Sequence, residues 1–157
     1  MGKQVKAIGA LAAGAVGGFV KLGWETVLPA RTPDRVSPPV VLLDKLGLPA
    51  DGWTYSFSGH TMNLGGFAVH FAFSVAFAAL YFSVVERFPA AGVFRGAVFG
   101  LLVWVGAHLI AMPLLGLTPP AAALPLDENV SEALGHVVWL WVIDAFRPGR
   151  AARRSPA

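Results

Sequence analysis

Residues Val93–Leu115 read VFRGAVFGLLVWVGAHLIAMPLL, and this stretch decides the fold class. Arg95 near its start is its one formal charge, and His108 past its middle is its one further titratable side chain. A helix rises ~1.5 Å per residue, so ~20 residues of this kind cross the hydrocarbon of a bilayer. Working outward, three more segments have that scale: about Ala7 to Leu28, Ser58 to Val85 and Glu128 to Phe146. Composition agrees. The 157 residues are 55% hydrophobic and only 13% charged, against about 25% charged in soluble domains, and the mean hydropathy is +0.62.

The expected architecture is therefore an all-α membrane protein, with four transmembrane helices in one antiparallel bundle and no linker or repeat that divides residues 1–157. The long outer loop 29–57 holds Pro38-Pro39 followed by Val40 to Leu43, an apolar run too short to cross. It reads as an interfacial segment, with Trp53 and Tyr55 at the depth that amphipathic rings prefer. Lys3 and Lys6 ahead of an Ala/Gly-rich stretch also resemble a signal peptide. The apolar stretch continues past the small residues and carries Lys21 and Glu25, which favours an uncleaved first span. Basic residues then set the orientation. Lys3, Lys6, Arg87, Arg95, Arg147, Arg150, Arg153 and Arg154 fall on one side and Arg31, Arg35 and Lys45 on the other, which puts both termini and the basic tail 147–157 in the cytoplasm.

Ionisable groups held in hydrocarbon cost roughly 2.5–3.5 kcal/mol each even on lenient scales, so they face a protein interior or a wet cavity. All four histidines lie in or at the edge of the apolar segments. Residues three, four or seven apart share a helix side. The second span then offers the stripe His60, Asn63, Phe67, His70, Ser74, and the fourth Asn129, Glu132, His136, Ile143. The first offers Gly14, Gly18, Lys21, Glu25, and the third Trp104, His108, Met112. Convergence of Lys21, Glu25, His60, Asn63, His70, His108, Glu132 and His136 on one interior is the cheapest arrangement. Lys21 and Glu25 can pair at i,i+4, and Glu132 lies one turn from His136, a combination that makes a pH-responsive unit.

Each element also has a structural reading: interhelical hydrogen bonds for the histidines, and packing for Gly14, Gly18, Gly92, Gly96 and Gly100. The small-xxx-small spacing of those glycines would also suit a homo-oligomer contact. Pro113 ends or kinks the third span near His108. The outer turn Gly116–Leu126 is stiffened by Pro119, Pro120 and Pro125, and Asp127, Glu128 and Asn129 open the fourth span as helix-start residues.

Several classes are excluded. Zero cysteines remove disulfides, thiolate metal sites and thiol nucleophiles. The basic residues, despite a pI near 9.7, form no patch for nucleic acid. No glycine loop joins a strand to a helix, and Ser131 and His136 point to different helix sides, so an enzyme is not expected. The reading taken forward is a small channel-like, transporter-like or pH-responsive protein with its cluster on the periplasmic side. A structural or accessory membrane subunit is one alternative. A cofactor protein is another, with two of His70, His108 and His136 as axial haem ligands, or all three with Met112 for a copper-type ion.

The run from His108 through Met112-Pro113, Gly116-Leu117-Thr118-Pro119-Pro120, Leu124-Pro125, Glu128-Asn129-Val130-Ser131-Glu132 and Gly135-His136 to Trp139 resembles the signature of the YagU-like inner-membrane proteins. Lys21, Gly23, Glu25, Pro29, Arg31 and Pro33 resemble the same family, as do Pro38-Pro39, Asp44, Leu46-Gly47-Leu48 and Gly59-His60. The first outer loop departs from it, being shorter and free of cysteine. The resemblance implies a bacterial multipass inner-membrane protein and no settled molecular activity.

Overall fold

The computed structural model describes residues 3–28, 31–32 and 35–147. Pro29, Pro33, Arg150, Arg153 and Arg154, named above, lie outside them, as does the tail beyond Arg147. The first helix, α1 (Lys3–Val27), is followed by a short helix α2 (Pro38–Lys45), a β-hairpin of β1 (Thr54–Phe57) and β2 (His60–Asn63), and α3 (Leu64–Arg87). An irregular turn over Pro89–Gly96 leads into α4 (Ala97–Val103), which runs on through a π-helical stretch Trp104–Ala111 into α5 (Met112–Leu114). The last helix, α6, spans Leu126–Ala145.

Among the described residues, three segments are long and apolar enough to cross a membrane: Gln4–Val27, Leu64–Arg87 and Pro89–Leu114. The 20-residue α6 is not among them, because Asp127, Glu128, Glu132 and Asp144 lower its hydropathy. Contacts between side chains fix the directions. Lys6 Nζ lies 2.6 Å from Glu86 Oε2, and Ser74 Oγ donates to the Gly14 carbonyl at 2.7 Å, so α1 and α3 run antiparallel. Lys21 reaches Glu132, and Trp24 reaches Ser131, so α1 and α6 also run antiparallel. Trp141 Nε1 donates to the Phe94 carbonyl at 3.0 Å, and the Gly100 backbone meets that of His136, which makes α4 antiparallel to α6.

The core gathers Ala10 and Ala13 of α1, Ala78, Tyr81, Phe82 and Val85 of α3, and Trp139, Leu140 and Ile143 of α6. A second, smaller core under the outer loop joins Val40, Leu43 and Ala50, with Val69 against it.

The second span differs from the sequence expectation at its start. Ser58–Asn63 do not open a helix: Ser58 and Gly59 both take positive φ (50° and 79°) and form a two-residue hairpin loop between strands whose register pairs Phe57 with His60. Left-handed residues at both loop positions match the strand twist, which is why such loops favour glycine. The helix instead starts at Leu64 under an Asn63 cap, whose side chain accepts from Gly66 N and donates to the Ala50 carbonyl, each at 2.8 Å.

The third span is also less regular than expected. Pro113 lacks an N–H and its ring crowds the preceding turn; the chain answers with a wider helix, in which Met112 N bonds the Ala107 carbonyl five residues back. That π segment carries His108, and such bulges recur at functional sites.

The five glycines of the small-xxx-small pattern all lie against this same chain. A methyl group added at Gly14 would sit 2.4 Å from Val75 Cα, and one at Gly100 2.6 Å from the His136 carbonyl oxygen. Gly18 meets Phe71, Gly92 meets Arg147, and Gly96, at φ 81°, meets Tyr81. Gly92 and Gly96 belong to the turn before α4, so the third-span trio does not form one helix face.

Candidate functional site

The buried face of α6 is polar over most of its length: Glu128, Ser131, Glu132, His136 and Asp144 are all buried, with Trp139, Leu140 and Ile143 between them. The Glu132 carboxylate is the hub. Its Oε2 lies 3.0 Å from Lys21 Nζ, 3.6 Å from His136 Nδ1 and 3.8 Å from His108 Nδ1. Lys21 also holds Glu25 Oε1 at 2.7 Å, and Arg31 Nη1 stands 3.6 Å from the other oxygen of Glu25. With both carboxylates ionised, Lys21 and Arg31 balance them without a charge on either imidazole.

Local sequence explains how the groups meet. Gly135 leaves a slot: a Cβ there would lie 2.9 Å from Trp24 Cδ1 and 3.3 Å from Lys21 Cε, so its absence lets the lysine's arm pass to Glu132. Trp24 Nε1 donates to the Ser131 carbonyl at 3.0 Å, and Ser131 Oγ donates to the Leu28 carbonyl at 2.8 Å, tying the end of α1 to the start of α6. Above them Arg35 pairs with Glu128, and Asn129 Nδ2 donates to the Ala121 and Pro125 carbonyls at 3.1 and 3.2 Å, holding the proline-rich turn.

His136 donates Nδ1–H to the Glu132 backbone carbonyl at 2.8 Å, because a carbonyl can only accept. The Glu132 carboxylate is thereby left to Lys21. His108 Nδ1 and Trp104 Nε1 are buried without a hydrogen-bond partner among the described residues, and the His108 and His136 rings stand edge to face with centroids 5.7 Å apart.

Of the eight residues expected to converge, five do so: Lys21, Glu25, His108, Glu132 and His136. Three stand elsewhere. His60 is exposed on β2, Asn63 caps α3, and His70 Nε2 lies 3.1 Å from the Gly18 carbonyl in the α1–α3 contact. Of the set His70, His108, Met112 and His136, the structure brings His108 and His136 together, while His70 stands at the Gly18 carbonyl. Among the described residues, the group whose ligand atoms lie within 4.8 Å of one another is His108, Glu132 and His136. Lys21 holds the carboxylate oxygen nearest both imidazoles, so an ammonium group neutralises Glu132 in this arrangement.

A second polar group, which the helical stripes do not include, lies at the other end of α6. Tyr81 OH donates to Asp144 Oδ1 at 2.7 Å, and Arg147 Nε lies 2.9 Å from the same oxygen. Asp144 is twelve residues, ~18 Å of helix, from Glu132; its i+8 spacing from His136 was the available signal. Between the two ends, Trp139 Nε1 donates to Ser74 Oγ at 2.8 Å. Ser74→Ala is expected to cost about 1–3 kcal/mol, because it leaves a buried indole N–H without its acceptor. Thermal unfolding in detergent micelles measures the loss.

A family model described as "Protein of unknown function (DUF1440)" matches residues 15–145. The chain is also 38% identical over 163 residues to the inner membrane protein YagU of Escherichia coli (strain K12), an alignment that covers 87% of this chain and 79% of that protein. No solved structure matches.

Proposed function

This chain belongs to the DUF1440 family, and from that premise we propose that it is a proton-responsive inner-membrane protein, with the Lys21–Glu25–Glu132–His108–His136 cluster as its sensing unit. Inner-membrane residence is carried over from the E. coli relative. In this reading α6 is a fourth crossing: its 20 residues span ~30 Å, and Glu128, Glu132 and Asp144 are turned inward from lipid. Both termini then face the cytoplasm, and the cluster opens toward the periplasm, near Arg31 and Arg35.

The observation that carries the proposal is the shared oxygen of Glu132, within 4 Å of Lys21, His108 and His136 at once. A proton added to either imidazole puts a second cation beside Lys21. The two cations then compete for one carboxylate oxygen and repel each other in a medium of low dielectric constant. Glu25 already holds Lys21 at 2.7 Å, so the ammonium can retire to it while the imidazolium takes Glu132. That exchange loosens the α1–α6 contact at Trp24 and Ser131. The charged groups facing the imidazoles are Lys21, Glu25 and Arg31 from α1 and its exit, and Glu132 from α6.

Below His136 the way is closed by buried Trp139, Leu140 and Ile143 with Ala13 of α1, which supports a conformational response to outside acidity over a continuous conduit. Trp24 and Trp139 flank the cluster and serve as probes. In proteoliposomes, acidifying from pH 7.5 to 5 is expected to change tryptophan emission. The change should fall to less than half in His136→Gln and vanish in the His108→Gln/His136→Gln double variant. An identical titration in all three proteins overturns the proposal.

A further inference from the structure

We infer that the β1–β2 hairpin is a surface anchor, which lays one face on the headgroup layer of the membrane that α3 crosses. In an antiparallel pair, directly opposed residues share a face. The register Tyr55 with Met62 and Phe57 with His60 therefore gathers two aromatic rings, a methionine and an imidazole on one face. Thr54, Ser56, Thr61 and Asn63 form the other, where Ser56 and Thr61 hydroxyls bond each other at 2.8 Å.

The apolar face is exposed among the described residues: Tyr55 is 54% exposed, Phe57 70% and Met62 44%. Exposed, contiguous apolar surface of this kind marks a partner. Here the partner is identified by position. The hairpin continues without a break into α3, and its base is locked there. Leu64 N donates to the Trp53 carbonyl at 2.7 Å, and the Trp53 ring packs so closely on Gly65 that a Cβ would lie 2.6 Å from it.

The 24 residues of α3 span ~36 Å against ~30 Å of hydrocarbon, and a headgroup zone of ~6 Å lies beyond each boundary. The first turn of α3 and the base of the hairpin thus sit in that zone, and a hairpin lying flat from that base stays within it, where aromatic rings with one polar edge are most stable. Tyr55, Phe57, Met62 and His60 have the composition of an interfacial belt, and the occupant that fits them is the boundary between lipid headgroups and acyl chains.

The chain has no cysteine, so single-cysteine variants of the full protein carry a clean label. Phe57→Cys and Ser56→Cys, each bearing an environment-sensitive fluorophore, are reconstituted in vesicles of phosphatidylethanolamine and phosphatidylglycerol with iodide on both sides. A lipid carrying a nitroxide near the headgroup end of its acyl chain is expected to quench the Phe57 label at least threefold more than the Ser56 label. Iodide should show the reverse order. Equal iodide quenching at both positions overturns the inference by putting both faces in water. A Phe57 label shielded from iodide and also untouched by the nitroxide lipid overturns it in favour of a protein partner. Disulfide formation between unlabelled Phe57→Cys copies then identifies that partner as a second copy. Neither result depends on the proton response, and the two readings fail independently.

Discussion

Lys21→Met is expected to destabilise the protein by about 3–5 kcal/mol, the usual loss when one partner of a buried ion pair is removed. The side chains of Lys21 and Glu132 are 7% and 6% exposed, so neither is rescued by solvent. Without the ammonium, Glu132 keeps, among the described residues, two imidazoles near its carboxylate, and Glu25 keeps Arg31 at 3.6 Å. The test is a double-mutant cycle with Glu132→Gln, followed by reversible unfolding in mixed micelles. The Lys21→Met/Glu132→Gln protein should regain about 2 kcal/mol or more of the loss, because the stranded charge is gone. Strictly additive effects would show that the pair is not coupled.

Gly14→Ala is expected to cost about 3 kcal/mol, at the upper end of the range for overpacking. The added methyl would meet Val75 Cα at 2.4 Å and Val75 N at 2.7 Å, and backbone atoms cannot rotate aside as a side-chain tip can. The helices must move apart, which also stretches the Ser74 to Gly14 hydrogen bond and the Trp139 bond behind it. Gly23→Ala is the control: no described residue lies within 4 Å of a methyl group there, and alanine favours a helix over glycine by about 1 kcal/mol. The pair should therefore shift the unfolding midpoint in opposite directions, and a Gly14→Ala protein as stable as Gly23→Ala would refute the close packing of α1 on α3.

Much of this is visible along the chain. Runs such as Val93–Leu115 can satisfy their backbone in lipid only as helices, so the apolar segments could be recognised one by one. Lys21 with Glu25, and Glu132 with His136, sit at i,i+4 and meet through helix geometry alone. His60 falls outside the helical periodicity because a hairpin strand, not a helix, carries it. The alternation of Thr54-Tyr55-Ser56-Phe57 before Ser58-Gly59 was the contrary signal. α6 misleads a hydropathy average for a different reason. That average sums over all faces of a helix, whereas Glu128, Glu132 and Asp144 all lie on the buried one.

What the chain alone determined is its membrane class, its apolar helices and the pairs one turn apart, because each follows from interactions within about seven residues. Only the tertiary structure decided that Lys21 reaches Glu132 across 111 positions, that His70 turns to the Gly18 carbonyl, and that Asp144 lies with Tyr81. Those partnerships depend on the rotation and depth at which one helix meets another. Bare glycine surfaces at Gly14, Gly100 and Gly135 set that docking, and the sequence displays such surfaces without saying which neighbour will fill them.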